Sequence, residues 1–140
     1  MATVEEIELA RAERRAALEE QRLAQHALDL EALNNLEIEH GESSLVRVKP
    51  KRFIPGQPTF VVLRLANPVE FKRYSDMVNG RGGAAGDTMA AAVALCDVCL
   101  LYPSKDVFRG ICQRVATMPI DCAVATLKAG EGVAIEEGKG

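Results

Sequence analysis

The sequence predicts a mostly helical α+β protein, with a long N-terminal helix, a β-hairpin and a compact cluster of four helices. Residues 4–36 contain no Gly or Pro and consist mainly of strong helix formers. Residues 44–66 contain two segments of strand character, separated by a connection rich in Pro and Gly. Residues 67–130 contain four further segments, each opened by a helix-start signal.

The chain length fits one compact domain with an appendage. At 140 residues and 48% apolar content there is enough material for a core, which Ala, Val and Leu must fill because Trp is absent. We therefore expect an N-terminal helical arm (1–41), an α+β core domain (42–130) and a flexible tail (131–140). The start is acidic, unlike a signal peptide, and no apolar run approaches the length that spans a bilayer, so we expect a cytoplasmic protein.

The N-terminal helix opens with a capping box, in which Thr3 and Glu6 satisfy each other's backbone N–H groups. Its apolar residues recur every seven positions and form one apolar stripe: Leu9, Ala16, Leu23 and Leu30. Most positions that would complete a coiled-coil seam are polar, among them Glu13, Glu19, Glu20 and His26. We expect a largely solvated helix that ends near Gly41 and has one apolar edge able to contact another surface.

An alternation of apolar and basic residues predicts the first strand of a β-hairpin. Val46 and Val48 share one face of the first strand, with Arg47 and Lys49 on the other. Pro55-Gly56 predicts the tight turn of the connection. The second strand, in residues 59–66, should bury Val61, Leu63 and Leu65 on one face. Two strands alone are marginal in water, so we expect helices to cover them.

Capping signals predict the remaining helices. Asn67-Pro68 opens the first, on which Phe71 and Tyr74 are expected to hold the core together. Residues 88–102 are apolar on all sides, which is typical of a buried central helix. Ser104 caps the next helix and Pro119 opens the last.

Charge is unevenly distributed along the chain. Residues 1–41 carry ten acidic against four basic residues, a net of −6, whereas residues 42–82 carry three against eight, a net of +5. The basic excess could bind phosphates or attract an acidic protein surface. Because few aromatic residues accompany it, a solvated hairpin face is favoured over a nucleic-acid site. The candidate binding residues in this region are Arg47, Lys49, Lys51 and Arg52.

Three motifs suggest chemistry, but each has a simpler interpretation. Cys96 and Cys99 form a CxxC pair inside an apolar segment, which favours buried free thiols over a zinc or redox site. The glycine-rich residues 80–86 follow a helix, not a strand, which favours a flexible loop over a nucleotide cradle. His26 and His40 are expected at the surface. No set of nucleophile, base and orienting group is present, so we expect no catalytic residue, metal site or cofactor, and no enzyme activity.

Two runs carry a resemblance to a known family. The run FVVLRLANPVEFKRY (60–74) resembles a segment of the small tail assembly chaperones of long-tailed bacteriophages. In that segment an extended strand is followed by Arg, Pro, Glu and an aromatic residue. CLLYPSKDVF (99–108), followed by Met118-Pro119, resembles the final helices of those proteins. The match covers about residues 44–130; the acidic N-terminal helix departs from the pattern. The resemblance implies a non-enzymatic protein of the host cytoplasm that binds the phage tape-measure protein while tail-tube protein polymerises around it.

We therefore expect a binding protein that contacts a helical partner, and a homo-oligomer is compatible with the same surfaces. The expected partner-binding residues are Leu9, Leu23 and Leu30 of the stripe and Arg47, Lys49, Lys51 and Arg52 of the basic region. Two alternatives stay open: a structural virion component, such as a tail or head–tail connector subunit, and a nucleic-acid-binding regulator that uses the basic hairpin.

Overall fold

The computed structural model describes residues 1–80 and 85–130. Part of the predicted glycine loop and the whole predicted tail, 131–140, lie outside these residues. The described elements confirm the mostly helical α+β class. In chain order they are α1 (Val4–His40), a short 3₁₀ turn (Glu42–Ser44), β1 (Leu45–Val48), β2 (Val61–Arg64), α2 (Pro68–Asn79), α3 (Thr88–Cys99), β3 (Leu100–Tyr102), α4 (Lys105–Arg114) and α5 (Met118–Ala129).

Local signals place most of the element boundaries. The Thr3 hydroxyl accepts the backbone N–H of Glu6, which is the first half of the predicted capping box. A complete box opens α2, where Asn67 and Glu70 each accept the other's backbone N–H. In the predicted tight turn the N–H of Gln57 donates to the carbonyl of Ile54 at 3.0 Å. Gly56 has φ 80° there, a conformation that favours glycine.

The sheet has three antiparallel strands in the order β1-β2-β3, so the prediction of two strands was incomplete. Leu45 pairs with Arg64 and Val48 with Val61 across β1 and β2. The apolar run 88–102 was predicted to be one helix, but α3 ends at Cys99 and the last three residues form β3. Proline at 103 disfavours helical conformation at the preceding residue, and the Leu-Leu-Tyr side chains suit a strand beside β2.

Strand β2 is buried on both faces because it is the central strand. Val61 and Leu63 belong to the main core with residues of α3 and α5. Val62 points to the opposite face, and Phe60, which shares that face, contacts the His26 ring of α1. The sheet is therefore covered by α3 and α5 on one side and by the C-terminal half of α1 on the other.

Helix α2 packs against α3 through a face that includes Glu70, Tyr74 and Met77, each half-buried. Tyr74 packs on the core, as predicted. Phe71 does not, since its side chain is 55% exposed. That prediction was wrong because Phe71 lies about 60° around the helix from Tyr74, at the edge of the contact face. Among the described residues, no helix is long and apolar enough to cross a membrane.

Candidate partner-binding surface

Asp29 attaches α1 to the sheet. This residue lies within α1 and is fully buried, although its neighbours Leu28 and Leu30 are exposed. Its Oδ2 accepts the backbone N–H of Thr59 at 2.7 Å and the Thr59 hydroxyl at 2.6 Å. Its Oδ1 accepts the amide of Gln25 at 2.9 Å and the hydroxyl of Tyr102. One carboxylate thus joins α1 to the residues that precede β2 and to the end of β3.

The hydrogen bonds to Asp29 favour the ionised form of its buried carboxyl group. Burial alone would raise the pKa of the carboxyl group. The bonds from Thr59, Tyr102 and Gln25 outweigh that effect, so the pKa of Asp29 is below its ordinary value. The pKa of Tyr102 is raised by burial and by donation to Asp29, so its hydroxyl remains a donor.

His26 is part of this network, which corrects the prediction of an ordinary surface histidine. Its Nδ1 lies 3.0 Å from Oγ1 of Thr59, and its ring meets the edge of Phe60 at a centroid distance of 5.9 Å. The single hydroxyl proton of Thr59 is donated to Asp29, so Nδ1 of His26 must carry a proton and donate to Thr59. The imidazole is consequently held in one orientation.

Nothing in the sequence identified Asp29, Thr59 and Tyr102 as a connected group. The partners are separated by 30 and 73 positions along the chain. No local signal marked Asp29 for burial, because its neighbours Leu28 and Leu30 are both exposed.

The first half of α1 projects from the body of the protein. In residues 4–21, here called the projecting segment, every side chain is exposed except that of Ala10, which is half-buried. The apolar stripe runs along this segment and continues into the docked half of the helix. Its predicted binding residues all remain exposed, with Leu9 at 62%, Leu23 at 55% and Leu30 at 42%.

The four predicted basic residues do not form a single patch. Lys49 and Lys51 line a recess of about 310 Å³ together with Arg22 and His26 of α1. Pro50, Phe53 and Thr59 complete this basic recess, and none of its described lining residues is acidic. Arg52 lines a neighbouring groove, which also includes Lys49, Lys51, Arg114 and the acidic Asp121. Arg47 lies over the ring of Phe60, with its guanidinium carbon 5.2 Å from the ring centroid.

The apolar stripe borders the basic recess. His26 lines the recess and stands three residues after Leu23 and four residues before Leu30. Residues with these spacings are neighbours on a helix surface. Exposed leucines and a cluster of cations therefore form one continuous surface along the flank of α1, and such a surface suits a partner that is apolar and acidic.

The cysteines contribute packing in the described structure. Cys96, Cys99 and Cys122 are buried, and the Cys96 thiol donates to the carbonyl of Pro119 at 3.4 Å. Burial raises the pKa of Cys99 to about 11 and that of Cys112 to about 11. The pKa of Cys122 is raised as well, first by a hydrogen bond with Cys96 and then by burial. Within residues 1–80 and 85–130, no group of three or more potential ligands could hold a metal ion.

We expect thiol alkylation of the native protein at neutral pH to be slow, because the thiolate is the reactive form, the pKa values of Cys99, Cys112 and Cys122 are raised, and Cys96 is buried. Cys112, the half-buried member, should react first, and all four should react quickly in denaturant. Mass spectrometry of a time course with iodoacetamide measures both rates. Rapid native alkylation of Cys96 or Cys99 would contradict this assignment.

Comparison of the chain with protein-family models, with curated proteins and with solved structures finds no match.

Proposed function

We propose that this chain is a non-enzymatic binding protein that holds an apolar helical segment of another protein against the exposed stripe of α1. In the role suggested by the resemblance to tail assembly chaperones, that protein is the tape-measure protein of a phage. Binding would occur in the host cytoplasm, before or while the tail-tube protein assembles.

The observation that carries this proposal is the projection of α1. A helix whose first eighteen residues, 4–21, extend away from its own core presents apolar side chains that the described residues of the chain leave exposed. Helix-in-groove and helix–helix recognition use this kind of surface. Asp29 holds the second half of the helix on the sheet, so the projecting segment has a fixed base.

The test is co-purification of a tape-measure segment with variants of the stripe. Leu23→Glu and Leu30→Glu together should reduce the bound fraction by about tenfold or more, because two contact residues of the interface become charged. Both side chains are exposed in the free protein, so folding should be preserved. Circular dichroism and the urea midpoint check that condition.

A matched control is Leu28→Glu, which changes a residue of the same helix that is also exposed, at 61%, but on a different face. It should leave co-purification unchanged. Equal losses in the double variant and the Leu28→Glu control, or retention of the partner by the Leu23→Glu, Leu30→Glu protein, would refute the assignment of the stripe.

A structural virion component stays the alternative. In that role the protein should be present at fixed stoichiometry in purified particles, whereas an assembly chaperone should be absent from them. Nucleic-acid binding is favoured by one feature, the basic recess, but its aromatic lining is limited to Phe53 among the described residues.

A further inference from the structure

Within residues 1–80 and 85–130, few interactions stabilise the projecting segment. The Thr3 cap supports its first turn, and an ion pair between Glu19 and Arg22, with a shortest distance of 2.6 Å, supports its last. Most helical stability in proteins comes from packing of an apolar face, and a solvated helix of this length is marginal in water. Packing of the exposed stripe against another surface would therefore stabilise this helix.

The first three residues of the stripe are symmetric about Ala16. Leu9 precedes Ala16 by seven residues, and Leu23 follows it by seven. When two such helices lie antiparallel with Ala16 opposite Ala16, each Leu9 is level with Leu23 of the other copy. This arrangement has a two-fold axis and uses the same residues on both copies, as a closed dimer requires. The small side chain of Ala16 at the crossing point allows the two helices to approach closely.

Charge selects the antiparallel direction. Glu5, Glu6 and Glu8 lie in the first turns of the projecting segment, and the basic recess lies beside His26 near the middle of α1. In the antiparallel register Glu6 is level with His26 of the second copy, so the acidic turns meet Lys49, Lys51 and Arg22 there. A parallel pair would instead place the acidic turns of both copies side by side, which is unfavourable.

Glu13 is directly opposite Glu19 of the other copy in this register, and the two-fold axis repeats this like-charge pair once more in the dimer. The cost is limited, because Glu19 is already bonded to Arg22 of its own chain through both carboxylate oxygens, at 3.0 and 2.6 Å. The net charge of −3 per chain also leaves little long-range repulsion between copies.

We propose that two copies of this chain associate through antiparallel α1 helices centred on Ala16, with the acidic N-terminal turns of each copy in the basic recess of the other. This dimer does not depend on the proposed function. A partner helix that used the same stripe would compete with the second copy, so self-association would cover the leucines until the partner is present.

The test begins with the mass of the full-length protein by light scattering over a concentration series up to roughly 100 µM. We expect a dimer whose dissociation constant rises by about tenfold or more in Leu23→Glu. The double change Lys49→Glu, Lys51→Glu should also weaken it, and the added changes Glu5→Lys, Glu6→Lys should restore it. Leu28→Glu serves as the control and should leave the dimer intact.

Cross-linking distinguishes an antiparallel from a parallel pairing of the two α1 helices. A mixture of Leu9→Cys and Leu23→Cys chains, one of them carrying a mass tag, should form a mixed disulfide-linked dimer under mild oxidation. Leu9→Cys alone should not, since its two sulfurs would lie about 21 Å apart along the helix axis. The unmodified chain measures background cross-linking by its own cysteines.

A monomer at every concentration, a cross-linked homodimer of Leu9→Cys, or a dimer unaffected by Leu23→Glu would overturn the proposal. These results are separable from the proposed function. A monomer that still binds the tape-measure segment through its leucines refutes only the dimer, and a dimer that binds no such segment refutes only the partner assignment.

Discussion

Replacing Asp29 with Ala is expected to lower the free energy of unfolding by about 3–5 kcal/mol, the largest effect of any single change in α1. The substitution leaves the Thr59 N–H, the Thr59 hydroxyl and the Tyr102 hydroxyl without their acceptor in a buried site. Urea unfolding followed by circular dichroism measures the loss. Hydrogen exchange in residues 25–37 should show that the docked half of α1 loses protection first.

Asp29→Asn separates the charge from the hydrogen bonds. An Asn oxygen can still accept both groups of Thr59, and its amide can face Gln25 and Tyr102, each of which is able to accept. We therefore expect a smaller loss, of about 1–2 kcal/mol. Glu31→Ala removes an exposed carboxylate of the same helix and should change stability by no more than about 0.5 kcal/mol. Equal stability of Asp29→Ala and the unmodified protein would contradict the anchoring role.

The stability contributed by Asp29 should depend on pH in a defined direction. Because the folded state lowers the pKa of Asp29, the contribution is present above the unfolded value of about 3.9 and is lost as pH falls through the folded value. Asp29→Asn should therefore lose less stability than the unmodified protein on acidification from about pH 5.

Local chemistry made much of this fold predictable. Asn67, Ser104 and Pro55-Gly56 act within a few residues, so the helix starts and the tight turn could be recognised from spacing. Strand β3 could not, because Leu100-Leu101-Tyr102 continues the apolar pattern of α3 and becomes a strand only by pairing with β2. Short apolar runs do not distinguish helix from strand without their tertiary partner.

The candidate surface was predictable to a similar extent. The seven-residue stripe was visible in the sequence because it is a property of one helix. The basic recess was not, since it forms only when Asp29 docks α1 against residues 49–59 and brings Arg22 and His26 beside Lys49 and Lys51. The charge excess predicted that cations would be near one another, which holds for Lys49, Lys51 and Arg52, whereas Arg47 lies over the Phe60 ring.

Arg64 joins three elements of the core domain. Its replacement by Ala is therefore expected to cause the second large loss of unfolding free energy. Its guanidinium donates to both oxygens of Glu70, at 2.8 and 2.6 Å, and to the carbonyl of Val98 at 2.9 Å. Strand β2 is thereby bonded to α2 and α3, while the Thr126 hydroxyl of α5 donates to the Arg64 carbonyl at 2.5 Å.

The Arg64→Ala protein should lose about 2–3 kcal/mol of unfolding free energy, because the carboxylate of Glu70 and the carbonyl of Val98 lose charged hydrogen bonds. The value is below that of a fully buried pair, since the Arg64 side chain is 34% exposed. Only the guanidinium bonds are lost, because the backbone carbonyl that accepts from Thr126 remains. Lys at this position should recover part of the loss, but not the two-pronged bond to Glu70.

Glu70→Gln supplies the matched test of the same ion pair. The hydrogen bond from Arg64 lowers the pKa of Glu70 from 4.5 to about 2, so the ion pair stabilises the fold above about pH 4.5. That contribution is lost as pH falls towards 2, and Glu70→Gln should lack this part of the acid-induced loss.

A double-mutant cycle of Arg64→Ala and Glu70→Gln at pH 7 measures their coupling, which should exceed about 1 kcal/mol. Additive losses at pH 7, together with identical acid profiles of Glu70→Gln and the unmodified protein, would show that this ion pair does not hold α2 against the sheet.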